Sequence, residues 1–68
     1  MSVARVTEIS STSPQSFEDA IRQGIERATQ TLRGVHGAWV KDQSLEIDGN
    51  RITAYKVNML ITFVLEGT

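Results

Sequence analysis

Residues 16–34 read SFEDAIRQGIERATQTLRG, and this is the only long segment with helical periodicity. Phe17, Ala20, Ile21, Gly24, Ile25, Ala28 and Leu32 recur at spacings of three and four, so they form one stripe. Glu18, Asp19, Arg22, Gln23, Glu26, Arg27 and Gln30 fall on the opposite side. Glu18 and Arg22 stand four apart, and Asp19 and Arg22 three apart, spacings worth ~0.3 kcal/mol per pair. The pattern predicts a helix over about Ser16 to Arg33, with Ser16 as N-cap and Asp19 completing a capping box. Ser13 with Pro14 as first helical residue is the other possible start. Arg33 suits the negative end of the helix dipole, and Gly34 suits a left-handed C-terminal cap. Gly24 on the apolar stripe costs about 1 kcal/mol against alanine. Its use there is close approach of a strand.

Working outward, Val3 to Ile9 is short, β-prone and bounded by a Ser/Thr cluster, so it reads as a first strand. Val3 and Ile9 share one face and Val6 the other. Ser10 to Ser16 reads as the connection into the helix. Past Gly34, strands are predicted over about Val35–Asp48 and Arg51–Glu66. Asp48-Gly49-Asn50-Arg51 between them carries the residues a tight hairpin needs. The last strand alternates cleanly. Tyr55, Val57, Met59, Ile61, Phe63 and Leu65 face the helix, and Ala54, Lys56, Asn58, Leu60, Thr62 and Val64 face away. A two-residue turn pairs Ile47 with Ile52, Gln43 with Lys56, Lys41 with Asn58, Trp39 with Leu60 and Gly37 with Thr62. Ala38 and Val40 then point at the helix and Trp39 away from it. The parity of Leu45 and Ile47 calls for a bulge near Asp42-Gln43-Ser44.

The elements give an α+β fold, β-α-β-β, with a three-stranded antiparallel sheet wrapped around one helix in a single domain over residues 1–68. A right-handed crossover places the first strand beside the last, which becomes the central strand. The outer sheet face then carries Trp39, Ile47, Ile52, Leu60 and Val64 with nothing of its own to cover them, an interface signal.

Composition points the same way. The chain has 68 residues, no cysteine and one histidine, which excludes disulfides and Cys-based zinc sites. A core this small is worth roughly 3–5 kcal/mol without help, so self-association is the expected aid. Net charge is −1 with no basic block, so no nucleic-acid footprint is visible. No apolar run reaches the ~20 residues of a membrane span and no signal peptide is evident, so a cytoplasmic protein is expected.

The order of elements and several stretches resemble the dodecins, small flavin-binding proteins whose three-stranded sheet curls round one helix. The resemblance covers about Val3 to Glu66. It is carried by Thr12-Ser13-Pro14, Ser16-Phe17-Glu18-Asp19-Ala20-Ile21, Arg27-Ala28, Thr31-Leu32-Arg33 and the closing Thr62-Phe63-Val64-Leu65-Glu66. It implies a hollow homododecamer with no catalysis. Flavin is bound in pairs at a two-fold interface, between aromatic side chains on the outer sheet face. Ungapped alignment places Gly37 at the family's stacking tryptophan and Lys56 at the glutamine that contacts the isoalloxazine edge. Trp39 falls two residues later, on the same strand face.

The expected ligand is therefore flavin, riboflavin or FMN, bound, stored or buffered by a self-assembled shell. Trp39 would stack, Lys56 would make a polar contact, and Gly37 and Ala38 would form the pocket wall. Trp39 equally suits burial between subunits. Lys56 suits an anionic group such as a flavin phosphate, or an intersubunit salt bridge. Asp42, Glu46 and Asp48 share strand parity and offer oxygen ligands to a calcium-type ion, with Asp42 the first candidate; a solvated acidic edge is the bland alternative. A structural or divalent-metal-binding dodecamer without flavin is the competing function. His36 has no Ser, Cys or second His to form a dyad, and the glycines form no phosphate loop, so no enzyme is expected.

Overall fold

The computed structural model describes residues 3–65. It contains β1 (Ala4–Ser13), α1 (Phe17–Thr31), β2 (Val35–Asp48) and β3 (Arg51–Val64). The sheet order is β1-β3-β2 and both pairings are antiparallel, so β3 is central as the crossover rule requires. Glu66, expected at the end of β3 and in the closing family stretch, lies outside the described residues.

β1 runs further than expected. Ser10, Ser11, Thr12 and Ser13 pair with Asn58, Val57, Lys56 and Tyr55, so most of the predicted connection is strand. The ladder offered by β3 outweighs the turn preference of serine and threonine.

The helix starts as predicted. Ser16 has extended backbone (φ −169°, ψ 165°) and its side chain accepts the Asp19 N–H at 3.0 Å. The capping box is not completed, because Asp19 is engaged elsewhere. Its Oδ2 accepts from Ser13 Oγ at 2.6 Å and from Gln23 Nε2 at 2.6 Å. Ser13 is fully buried and also accepts the Gln15 N–H at 3.0 Å. One hydroxyl thus ties the end of β1 to the first turn of α1.

The far end corrects the expectation. Leu32 is already extended (φ −112°, ψ 144°) while its N–H still donates to the Ala28 carbonyl, so Arg33 lies beyond the helix. Gly34 has φ +71°, but it turns the chain into β2, and its carbonyl accepts the Val64 N–H at 3.0 Å. A Cβ there would stand 2.9 Å from the Val64 oxygen. The predicted Arg22 pairs do not form either. Among the described residues the ion pair within 4 Å is Lys41–Glu8, at 3.4 Å.

The core is Ala20, Ala28, Val57, Met59 and Ile61, flanked by half-buried Ile9, Phe17, Ile21, Ile25, Leu32 and Val35. Phe17 meets Tyr55 edge-on at 5.2 Å between ring centroids. Apart from Val35 at the start of β2, all of this lies on α1, β1 and β3. A helix of 15 residues is about 22 Å long, whereas strands of 14 span about 46 Å. The protomer accordingly measures 52 × 19 × 13 Å, and no residue of β2 is buried. Ala38 and Val40, expected against the helix, are exposed: they pair with Ile61 and Met59 on the helix side, but the helix does not reach them.

The hairpin turns at Gly49 (φ +67°), with Asp48 opposite Arg51. The expected pairs Ile47–Ile52, Trp39–Leu60 and Gly37–Thr62 are present. Between them the register is offset by one. Gln43 pairs with Val57, Ser44 with Lys56 and Asp42 with Asn58, which replaces the expected Gln43–Lys56 and Lys41–Asn58 pairs. The cause is two compensating irregularities: Thr53 is the extra residue on β3 and Lys41 the extra residue on β2, while His36 marks a third. Strand alternation then places Leu45, Ile47 and Ile52 on the helix side of the sheet, past the first turn of α1. The sequence had set Ile47 and Ile52 on the outer face.

Candidate functional site on the outer sheet face

The three-strand register lays out the outer face as rows. Val6, Thr62 and Gly37 form one row and Glu8, Leu60 and Trp39 the next. Ser10, Asn58 and Asp42 follow, then Thr12, Lys56 and Ser44. Adjacent rows are about 7 Å apart.

Trp39 dominates this face. It is 71% exposed, the most exposed large apolar side chain among the described residues. Gly37 precedes it on the same face, and a Cβ built at Gly37 would meet nothing within 4 Å. Bare backbone therefore lies beside the indole, with Leu60 across the strand. This is a flat, open, apolar platform of the kind that a planar ligand or a second copy of the sheet covers.

Its rim is polar. Lys41, at the bulge, reaches across β3 to both carboxylate oxygens of Glu8 at 3.4 Å. The two side chains remain about half exposed, so the pair contributes ~0–1 kcal/mol and serves mainly to frame Leu60. On the other side of the platform Asn58 Nδ2 donates to Asp42 Oδ1 at 2.7 Å.

The four residues predicted to bind ligand do not all come together. Gly37 and Trp39 share the platform. Ala38 pairs with Ile61 and so faces the helix side; only its backbone reaches the outer face. Lys56 is on the outer face, half-buried between Thr12 and Ser44, but four residues along β3 from Leu60. That is about 13 Å from the Trp39 row, too far to touch the same ring edge within one protomer.

The acidic residues are similarly spread. Asp42 and Glu46 are on the outer face, with Asp48 next in the same alternation at the turn. Among the described residues no three His, Cys, Asp or Glu side chains are grouped so as to hold a metal ion. Asp42 is exposed, with one oxygen already hydrogen-bonded by Asn58. His36 sits exposed at the first bulge of β2.

Glu8 is the residue that sequence reasoning missed. Its signal was present: with β1 beside β3, alternation from the inward-facing Ile9 sends Glu8 outward, toward Leu60. Among the described residues no helix is long and apolar enough to cross a membrane.

Comparison with known proteins agrees with this architecture. Calcium dodecin of Mycobacterium tuberculosis (strain ATCC 25618 / H37Rv) is 30% identical over 63 residues, covering 93% of this chain and 89% of that protein. Among solved structures, dodecin from Streptomyces davaonensis superimposes with a TM-score of 0.91 at 35% identity, covering 97% of each chain. The crystal structure of the M. tuberculosis protein, described as calcium chelating with a novel calcium-binding site, gives a TM-score of 0.81 at 27% identity over 97% of this chain and 94% of that one. The Dodecin family model matches residues 3–66, and with that span on this strand order the chain belongs to the dodecin family.

Proposed function

We propose that this chain is a non-enzymatic binding protein that assembles as a homododecamer and holds flavin, riboflavin or FMN, on the outer sheet face where copies meet. The observation that carries this is Trp39: a large ring, 71% exposed, beside the bare backbone of Gly37 and opposite Leu60. An aromatic ligand stacked there covers apolar surface that one protomer leaves open. Family membership supports the binding role and self-association. Lys56, distant from Trp39 in its own protomer, contributes to the same ligand only from a second copy or through the ligand's polar tail.

The test is a titration of flavin-stripped protein with riboflavin and with FMN, followed by flavin fluorescence. Saturable quenching is expected. Ring–ring contact gives about 0.5–1.5 kcal/mol beyond area burial, so Trp39→Ala should weaken binding at least tenfold while light scattering finds the assembly unchanged. No quenching with either flavin would overturn the ligand assignment. Loss of assembly in Trp39→Ala would make the indole a subunit contact.

A second reading is favoured by the relative named calcium dodecin. Asp42 and Glu46 can bind a divalent cation if carboxylates from several copies converge, because the described residues of one protomer group too few. Calcium titration, with Asp42→Asn as control, separates this reading from the flavin one. A midpoint of unfolding raised by calcium in the wild type and not in Asp42→Asn would support it.

A further inference from the structure

On the outer face, the contact between Lys41 and Glu8 is long and unsaturated. Lys41 Nζ stands 3.4 Å from both Glu8 carboxylate oxygens, whereas a charge-assisted N–H···O bond closes to about 2.7–2.9 Å. The neighbouring Asn58–Asp42 bond, at 2.7 Å, is a closed contact on the same face. An ammonium has three donors and a carboxylate about four acceptor sites, so Lys41 and Glu8 both keep capacity for a further partner. Both side chains are about half exposed, so that partner can reach them. Glu8, Leu60 and Trp39 form one row across β1, β3 and β2. A donor and an acceptor therefore stand together at one end of the row and the exposed indole at the other, two strand spacings or about 10 Å apart.

We infer that Glu8 and Lys41 together read the imide edge of a flat, three-ring ligand that stacks on Trp39. This rests on the flavin assignment proposed above and names the groups that recognise the ring. A ring system lying along the row covers Leu60, and three fused rings bridge two strand spacings where a single ring does not. The pyrimidine end of an isoalloxazine carries one N–H, at N3, between two carbonyls. The Glu8 carboxylate accepts from N3–H, and the Lys41 ammonium donates to an adjoining carbonyl oxygen. Each bond has one ionised member, which makes it stronger than a neutral pair, and no proton is transferred. Lys56 cannot do this work, because its row lies about 13 Å along β3 from that of Trp39. A flat ligand with an apolar edge would strip water from two charged groups and give no hydrogen bond in exchange. The site therefore selects imide-bearing aromatics over hydrocarbons of the same shape.

Riboflavin and its N3-methyl derivative separate this inference from the assignment it rests on, because both can stack and only riboflavin donates from N3. Fluorescence titration of the wild type should show the methylated ligand binding at least about tenfold more weakly, the loss expected for a hydrogen bond to a charged group. In Glu8→Ala the difference between the two ligands should vanish. Glu8→Gln, closer in shape, removes the charge alone and should narrow the difference. In Lys41→Met both ligands should bind more weakly and the difference should persist, since both carry the carbonyls. Both positions are about half exposed, and circular dichroism with light scattering verifies that each variant folds and assembles. A wild type that binds the two ligands equally would overturn the inference and leave the flavin assignment standing. The same follows if folded Glu8→Ala retains the full preference, or if Lys41→Met binds riboflavin as tightly as the wild type. A wild type that quenches neither ligand would remove the flavin assignment, and this inference with it.

Discussion

Gly24 marks a close approach of helix and sheet. A Cβ there would stand 2.5 Å from the Met59 Cε and 3.1 Å from the Ser11 Cβ. Met59 is fully buried within the core cluster, which leaves its end little free space to move into, and Ser11 crowds the same point. Alanine would gain about 1 kcal/mol of helix propensity, but overpacking costs about 1–3 kcal/mol. Gly24→Ala should therefore be destabilising by about 1 kcal/mol in urea unfolding; a variant as stable as the parent would mean that Met59 has room to move. The role of this glycine was legible from its place on the apolar stripe. The positions of the ligand candidates were legible only in part. Trp39 and Gly37 follow from alternation counted back from Leu60 and Thr62. The distance of Lys56 from Trp39 also follows from that count, yet alignment to a family motif grouped them, because a motif keeps no record of which subunit each residue comes from.

At the scale of elements, the start of α1 depends on side-chain chemistry and its end on backbone. Ser16 accepts the Asp19 N–H, so Ser16→Ala should cost about 1 kcal/mol and Ser16→Gly only a few tenths. Thermal unfolding of the two variants checks the order; equal losses would mean that Ser13 and Asp19 hold the first turn without the cap. Hydrophobic period gave every element, because it reports directly on which side chains a core can bury. It could not give the β2 register. Offsets at Thr53 and Lys41 cancel, so the pairs at the turn and those from Trp39 back to Gly37 are the expected ones and those between are displaced. The parity of Leu45 and Ile47 called for a bulge near Asp42-Gln43-Ser44, and one lies beside it at Lys41; nothing marked its counterpart at Thr53, and the two together decide that Ser44, not Gln43, lies beside Lys56. The Ser10–Ser13 run misleads for a related reason: its residues favour turns locally, and the partner strand that makes them a strand lies more than forty positions away.

For the whole molecule, the balance of length against cover governs behaviour. One helix of 15 residues serves a protomer 52 Å long, and five of the exposed apolar residues, Trp39, Val40, Leu45, Ile47 and Ile52, lie on the hairpin it fails to cover. Composition had anticipated the need for partners, since 68 residues without cysteine have few other ways to gain stability. It could not locate them, because the identity of the uncovered face depends on where the helix stops. A protomer whose buried core is five small or medium side chains should depend on assembly for most of its stability. Partner subunits bind the native state and not the unfolded chain, so mass action raises apparent stability with protein concentration. Thermal unfolding at several concentrations should give a midpoint that climbs steadily from low to high micromolar protein. A midpoint independent of concentration, in a protein that light scattering finds monomeric after dilution, would mean that the helix and β1–β3 core suffices alone. The exposed hairpin would then have to be explained by a ligand or a different protein rather than by more copies of this chain.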